Sequence, residues 1–166
     1  MRGCGRKQQR RWEPVPLIYR NVHQGRRIQS AVMRYILALF ALAGVAVSWM
    51  ALRVHYSTET QPCSINEKWD CGIVNHSPYA EVAHVPVAAI GIAGYVVIAI
   101  LALVRRRRLL AGATVIGLAF SLYLTHIEKD VLLVWCLYCV ISLGVISAIT
   151  LLSLLWAFLG RSPRAH

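Results

Sequence analysis

The chain has 166 residues, 57% of them hydrophobic, and a formal net charge of +11. The apolar residues gather in four long runs, which excludes an ordinary soluble domain and predicts an all-α integral membrane protein. The charge does not mark a nucleic-acid binder. Of 18 basic residues, nine lie in residues 1–34, four are Arg105 to Arg108, and two are Arg161 and Arg164. In a four-helix alternating topology all of these fall on one side. The other side holds Arg53, Lys68 and Lys129 against Glu59, Glu67, Asp70, Glu81, Glu128 and Asp130. This positive-inside pattern places both termini and the 105–108 hairpin in the cytoplasm, with the 53–84 and 126–130 loops outside.

Residues 1–32 are basic and poor in periodicity, so a cytoplasmic tail with little fixed structure is expected there. Met33 is a second possible start beside Met1. Cys4, in this tail, reads as an inert free thiol. The first helix is expected at 35–52, uncharged between Arg34 and Arg53. It exceeds a usual signal h-region and lacks a small-x-small cleavage site, so it is expected to be retained.

Residues 53–84 form the one sizeable external loop. Its Pro, Gly and short polar residues suit turns and a short surface helix, with Ile73 to Ala83 as a cap over the bundle. Pro86 opens the second helix, 85–104, where its missing N–H costs little. Gly91 and Gly94 in that helix allow close helix contact. The third helix is expected at 109–125, followed by a short external turn, His126 to Asp130. The fourth spans 131–159, longer than the roughly 18–20 residues a bilayer requires. Its first turn therefore stands at the outer interface and carries Cys136 and Cys139 on one helical face.

Four of five cysteines fall on the external side, where disulfides persist. The local pairings are Cys63 with Cys71 and Cys136 with Cys139. As structural staples the second pair would do little, since a bridge across one helical turn barely restricts the unfolded chain. C-x-x-C is instead the spacing of an exchangeable dithiol, because the second thiol resolves a mixed disulfide formed by the first. A helix N-terminus also favours the thiolate. The alternative is a metal-binding or metal-transport protein using the external thiols, with His55, His76, His84 and His126 nearby, although C-x7-C plus C-x2-C is not the usual zinc spacing. No metal ligands are assigned. Two dithiols in series suggest an electron relay ending on a lipid-soluble two-electron acceptor such as a quinone.

Cys63-Ser64-Ile65-Asn66, then Cys71, Ser77, Pro86 and Cys136-Leu137-Tyr138-Cys139, in that order on four apolar runs, resemble the vitamin K epoxide reductase family, specifically its bacterial quinone-dependent members. The resemblance covers about Tyr35 to Leu159. The unrelated DsbB-type oxidases carry C-x-x-C in the first external loop. The resemblance implies a four-transmembrane-helix bundle in the bacterial plasma membrane with an extracytoplasmic cap between helices one and two. It implies catalytic roles for Cys63, Cys71, Cys136 and Cys139. Cys63 would exchange with a separate extracytoplasmic thioredoxin-like (DsbA-like) protein, Cys71 would pass electrons to Cys136, and Cys139 would face the quinone, ubiquinone or menaquinone. Ser77 and Asn75 would lie near that quinone, and Trp69 in the same cap. Animal members have a tyrosine where Leu143 stands and an asparagine in helix two, which holds none here; epoxide reduction is therefore not expected.

Overall fold

The computed structural model describes residues 17–57, 63 and 65–159, with side chains from residue 29 to residue 158. Cys4, Ser64 and the chain ends 1–16 and 160–166 lie outside the described residues. Two compact units divide at Val32 and Met33. Helix α1 is Leu17–Tyr56. It begins well before the expected start at 35, and residues 17–32 are helical rather than irregular. Leu17, Ile18 and Val22 follow Pro16, and proline is tolerated just before a helix and not within it.

In the second unit, the loop after α1 contains α2 (Cys71–Asn75), a 3-10 turn at Pro78–Ala80, and the hairpin β1 (Glu81–Val82) and β2 (Val85–Pro86). Ala83 and His84 turn this hairpin with φ of 51° and 64°. That left-handed pair is what a tight two-residue hairpin demands, here met without glycine. The expected short surface helix is therefore present, joined by a small antiparallel ribbon.

Helix α3 is Val87–Leu103. It occupies 17 residues, since Val85 and Pro86 are held by the hairpin. A helix of that length is about 26 Å long. Arg105, at φ 61°, breaks the chain direction. Helix α4 is Arg107–Ile127, and it continues as a π-helical turn through Glu128–Leu132. The expected external turn at 126–130 is thus helical, and the reversal comes later, at Leu133 (φ 55°). Helix α5 is Leu137–Leu159. It starts six residues after its expected beginning, for a reason that bears on the site.

Three helices are long and apolar enough to cross a membrane, at Gln29–Tyr56, Arg107–Leu132 and Leu137–Phe158; Val87–Leu103 is a shorter apolar helix. Large apolar side chains such as Leu39, Ile116 and Leu151 are mostly exposed, the surface that a lipid surround requires. Inside, Leu37, Ala41, Tyr95, Ile98, Leu110, Ile149 and Trp156 form the main core. Gly44 makes room for Tyr95: a Cβ there would run into the ring. The ring can then send its hydroxyl to the Ser142 carbonyl at 3.0 Å, tying α3 to α5. Gly91 touches Ser48 as expected of a helix contact, at 3.0 Å from an added Cβ to Oγ. Gly94 does not; a Cβ there meets nothing within 4 Å, and the residue lines a cavity instead.

Candidate functional site

The four described cysteines converge at one end of the bundle. Two local devices bring them there. The Asn66 side chain accepts from the Lys68 and Trp69 N–H groups at 3.0 and 3.1 Å, closing a tight turn. Asp70 then caps α2 by accepting from Gly72 and Ile73 at 2.7 and 3.1 Å. Between these devices the backbone is extended and pairs in parallel with Trp135. Trp135 donates to Lys68 at 2.8 Å, and Asp70 donates to Trp135 at 3.1 Å. The two indoles sit 6.3 Å apart.

This pairing explains the late start of α5. Leu133 and Val134 donate to the Glu128 carbonyl, Trp135 uses its backbone groups on the loop, and Cys136 donates to the Glu128 side chain, so the helix begins only at Leu137. Cys136 stands at its cap, with its carbonyl taking the Val140 N–H at 3.1 Å, and Cys139 lies in the first turn. The expected helical face for both cysteines is corrected accordingly, whereas their place at a helix N-terminus holds. Cys71, two residues after Trp69, and Cys136, next after Trp135, thereby fall in one buried cluster.

Cys63 and Cys71 are joined as a disulfide with Cα atoms 5.7 Å apart. Cys136 and Cys139 are free thiols. Cys63, Cys71 and Cys136 pack with Val54 and Val74 in one buried cluster, with Cys139 against it. Asn75, also buried, spans the two pairs. Its Nδ2 donates to the Cys71 carbonyl at 2.8 Å and to Cys136 Sγ at 3.6 Å. Its own carbonyl accepts from His55 Nδ1 at 2.6 Å, which locks α2 to the end of α1. His55 Nε2 lies 3.3 Å from Glu81. A hydrogen bond from the Cys139 thiol holds Cys136 below the ordinary thiol range, against the opposing effect of burial.

Below the cysteines lies a cavity of about 690 Å³. Its walls are largely apolar and come from α1, α3, α4 and α5, with Gly91, Gly94 and Phe120 among them. At the capped end it is lined by Asn75, Ser77, Glu128 and Cys139. The Ser77 hydroxyl also closes its turn by donating to the Val74 carbonyl at 2.8 Å. The space and the largely apolar walls, with a thiol at one end, suit an apolar ligand.

Sequence reasoning placed Cys71, Asn75, Ser77, Cys136 and Cys139 in one site, and the structure brings them together. It missed Glu128, counted only as an external charge, and Tyr95, and it weighed His55 only for the metal alternative; Tyr95 and His55 brace the site. A carboxylate closing an apolar run eight residues before C-x-x-C was the available signal. Among the described residues no group of three or more His, Cys, Asp or Glu side chains is set to hold a metal ion. The Cys63–Cys71 bond also occupies two of the four thiols that a metal site would use.

No curated protein matches the chain significantly. The family model described as Vitamin K epoxide reductase family matches residues 35–154, and the chain belongs to that family. It is a membrane oxidoreductase with a disulfide at its capped end.

Proposed function

We propose, on the premise of that family membership, that this chain passes two electrons from an extracytoplasmic thioredoxin-like thiol protein to a membrane quinone, and so supports disulfide bond formation. All four apolar helices cross the bacterial plasma membrane in this reading. The termini and the Arg105–Arg108 hairpin face the cytoplasm and the cysteine end faces outward. The arginine distribution supports that orientation.

One observation carries the reading. Cys71 and Cys136 are fully buried in one cluster and spanned by Asn75, while Cys139 alone of the four cysteines lines the apolar cavity. That is the order a relay needs. A thiolate of the donor protein attacks Cys63, and Cys71 is released. The donor's second thiol then closes the donor's own disulfide and frees Cys63. Cys71 attacks the Cys136–Cys139 disulfide at Cys136, releasing Cys139, and Cys63 re-forms its bond to Cys71, releasing Cys136. The Cys136–Cys139 dithiol then faces the cavity, where Cys139 reduces the bound quinone and the pair closes again as a disulfide. Ser77 and Asn75 supply polar atoms for the ring's carbonyl oxygens, and the apolar walls hold its tail. Cys63 is only 3% exposed, so the donor must displace loop residues to reach it.

The test is quinone reduction followed optically in detergent, with a small dithiol or a reduced thioredoxin-like protein as donor. Turnover that vanishes in Cys139→Ala is expected. A folded protein that reduces no quinone with either donor would refute the relay.

A further inference from the structure

Glu128 has no part in the thiol exchange described above, yet its placement is specific. It is 2% exposed. Its neighbours in the same turn, Lys129 and Asp130, face solvent, and Asp130 pairs with His126 at 2.6 Å. Glu128 alone turns inward. Its Oε2 accepts the backbone N–H of Cys136 at 3.1 Å. Its Oε1 has no hydrogen-bond partner among the described residues. The residue lines the cavity, and so does Cys139. A buried carboxyl oxygen without a partner calls for an explanation, and a use in the chemistry is one.

We propose that Glu128 is the proton carrier of the dithiol-to-quinone step: its free carboxyl oxygen takes the proton of Cys139 and hands it to a carbonyl oxygen of a quinone seated in the cavity. This rests on the quinone reading given above. The balance is as follows. Cys136 enters as a thiolate, its proton already released to the outer solvent. Cys139 gives its proton to Glu128 as the Cys136–Cys139 bond forms, and the two sulfurs together lose two electrons to the ring. Glu128 supplies one of the two protons that the hydroquinone needs, and solvent returns the other. Glu128 ends as it began. Geometry suits the role, because one carboxyl oxygen is fixed on the backbone of Cys136, the other has no partner among the described residues, and the residue shares the cavity wall with Cys139.

Glu128→Gln tests this in the full-length chain. Glutamine keeps the volume and the acceptor for the Cys136 N–H, but carries no proton. The first measurement needs no quinone. Infrared difference spectra are taken between protein reduced with a phosphine and protein oxidised with a soluble diazene oxidant. A carboxylate stretching band that responds to the state of the dithiol is expected, lost in Glu128→Gln and shifted in Glu128→Asp. Absence of that band, or its persistence in Glu128→Gln, overturns the proposal. The second measurement compares turnover with a short-chain quinone against oxidation of the dithiol by the diazene. Glu128→Gln should lower the quinone rate about 100-fold, the scale of a general acid–base group. The diazene rate should fall by much less, because that oxidant draws its protons from solvent and tests only the removal of the Cys139 proton, with partial recovery of the quinone rate in Glu128→Asp. Equal quinone rates in variant and wild type, or an equal loss of both rates, would sink the idea. A wild type that reduces no quinone is a failure of the quinone reading instead, and removes the acceptor from this one.

Discussion

The two ends of the bundle are held together differently. At the Arg105–Arg108 end, Leu37, Ala102, Leu110, Ile149 and Trp156 pack side chain on side chain. Hydroxyls pair there: Thr114 and Ser153 meet at 2.9 Å, and Thr150 donates to the Thr114 carbonyl at 3.2 Å, while the Trp156 indole N–H and Arg34 Nε are buried without a partner among the described residues. At the capped end the buried atoms are sulfur, an amide and a carboxylate, and their positions come from backbone pairing, one cap and one disulfide. In lipid, packing of the first kind supplies association between helices. The second kind holds reactive groups at fixed distances and leaves one carboxyl oxygen unpartnered. Substitutions at the two ends should therefore separate stability from chemistry.

The largest effects belong to the capped end. Cys136→Ala and Cys139→Ala should each reduce turnover to background in the optical assay while leaving the helical circular dichroism intact. Cys63→Ala should stop turnover with a protein donor, yet retain it with a small dithiol that reaches Cys136 directly. Equal activity with both donors would break the order of the relay. Asn75→Ala removes the donor shared by Cys71 and Cys136. One such hydrogen bond is worth about 1–1.5 kcal/mol, so exchange between the pairs should slow about tenfold. Rapid-quench alkylation of the Cys71–Cys136 mixed disulfide reads that step.

A pH measurement sharpens the same contrast. Because the Cys139 thiol holds Cys136 low, Cys139→Ala should move the Cys136 thiolate absorbance to higher pH, with burial then unopposed. A shift to lower pH would show that the hydrogen bond runs otherwise. The smallest effect belongs to the other end. Thr114→Val deletes a hydroxyl pair between α4 and α5, worth about 0.6 kcal/mol inside a membrane. It should lower the thermal midpoint in detergent slightly and leave quinone turnover alone.

Much of this was legible in the chain. Runs of about 20 apolar residues leave helix as the only backbone state that satisfies itself in lipid. The order of Cys63, Cys71, Ser77, Pro86 and C-x-x-C identified the family. Element ends were less legible. The π turn at Glu128–Leu132 looks like a loop by composition, because His126, Glu128, Lys129 and Asp130 are clustered there. Composition does not say that one of those charges turns inward.

The sequence alone settled the apolar helices, the arginine-rich end and the residues able to carry redox chemistry, since these follow from local composition and side-chain identity. Tertiary structure decided which of them meet. Trp69 and Trp135 are 66 positions apart, and their parallel pairing, with the bonds that Glu128 accepts from Val134 and Cys136, delays α5 to Leu137 and gathers Cys71 and Cys136 in one cluster. The roles of Glu128 and Gly94 were decided in the same way. A buried carboxyl and an empty glycine face acquire meaning only from what other helices place, or leave open, beside them.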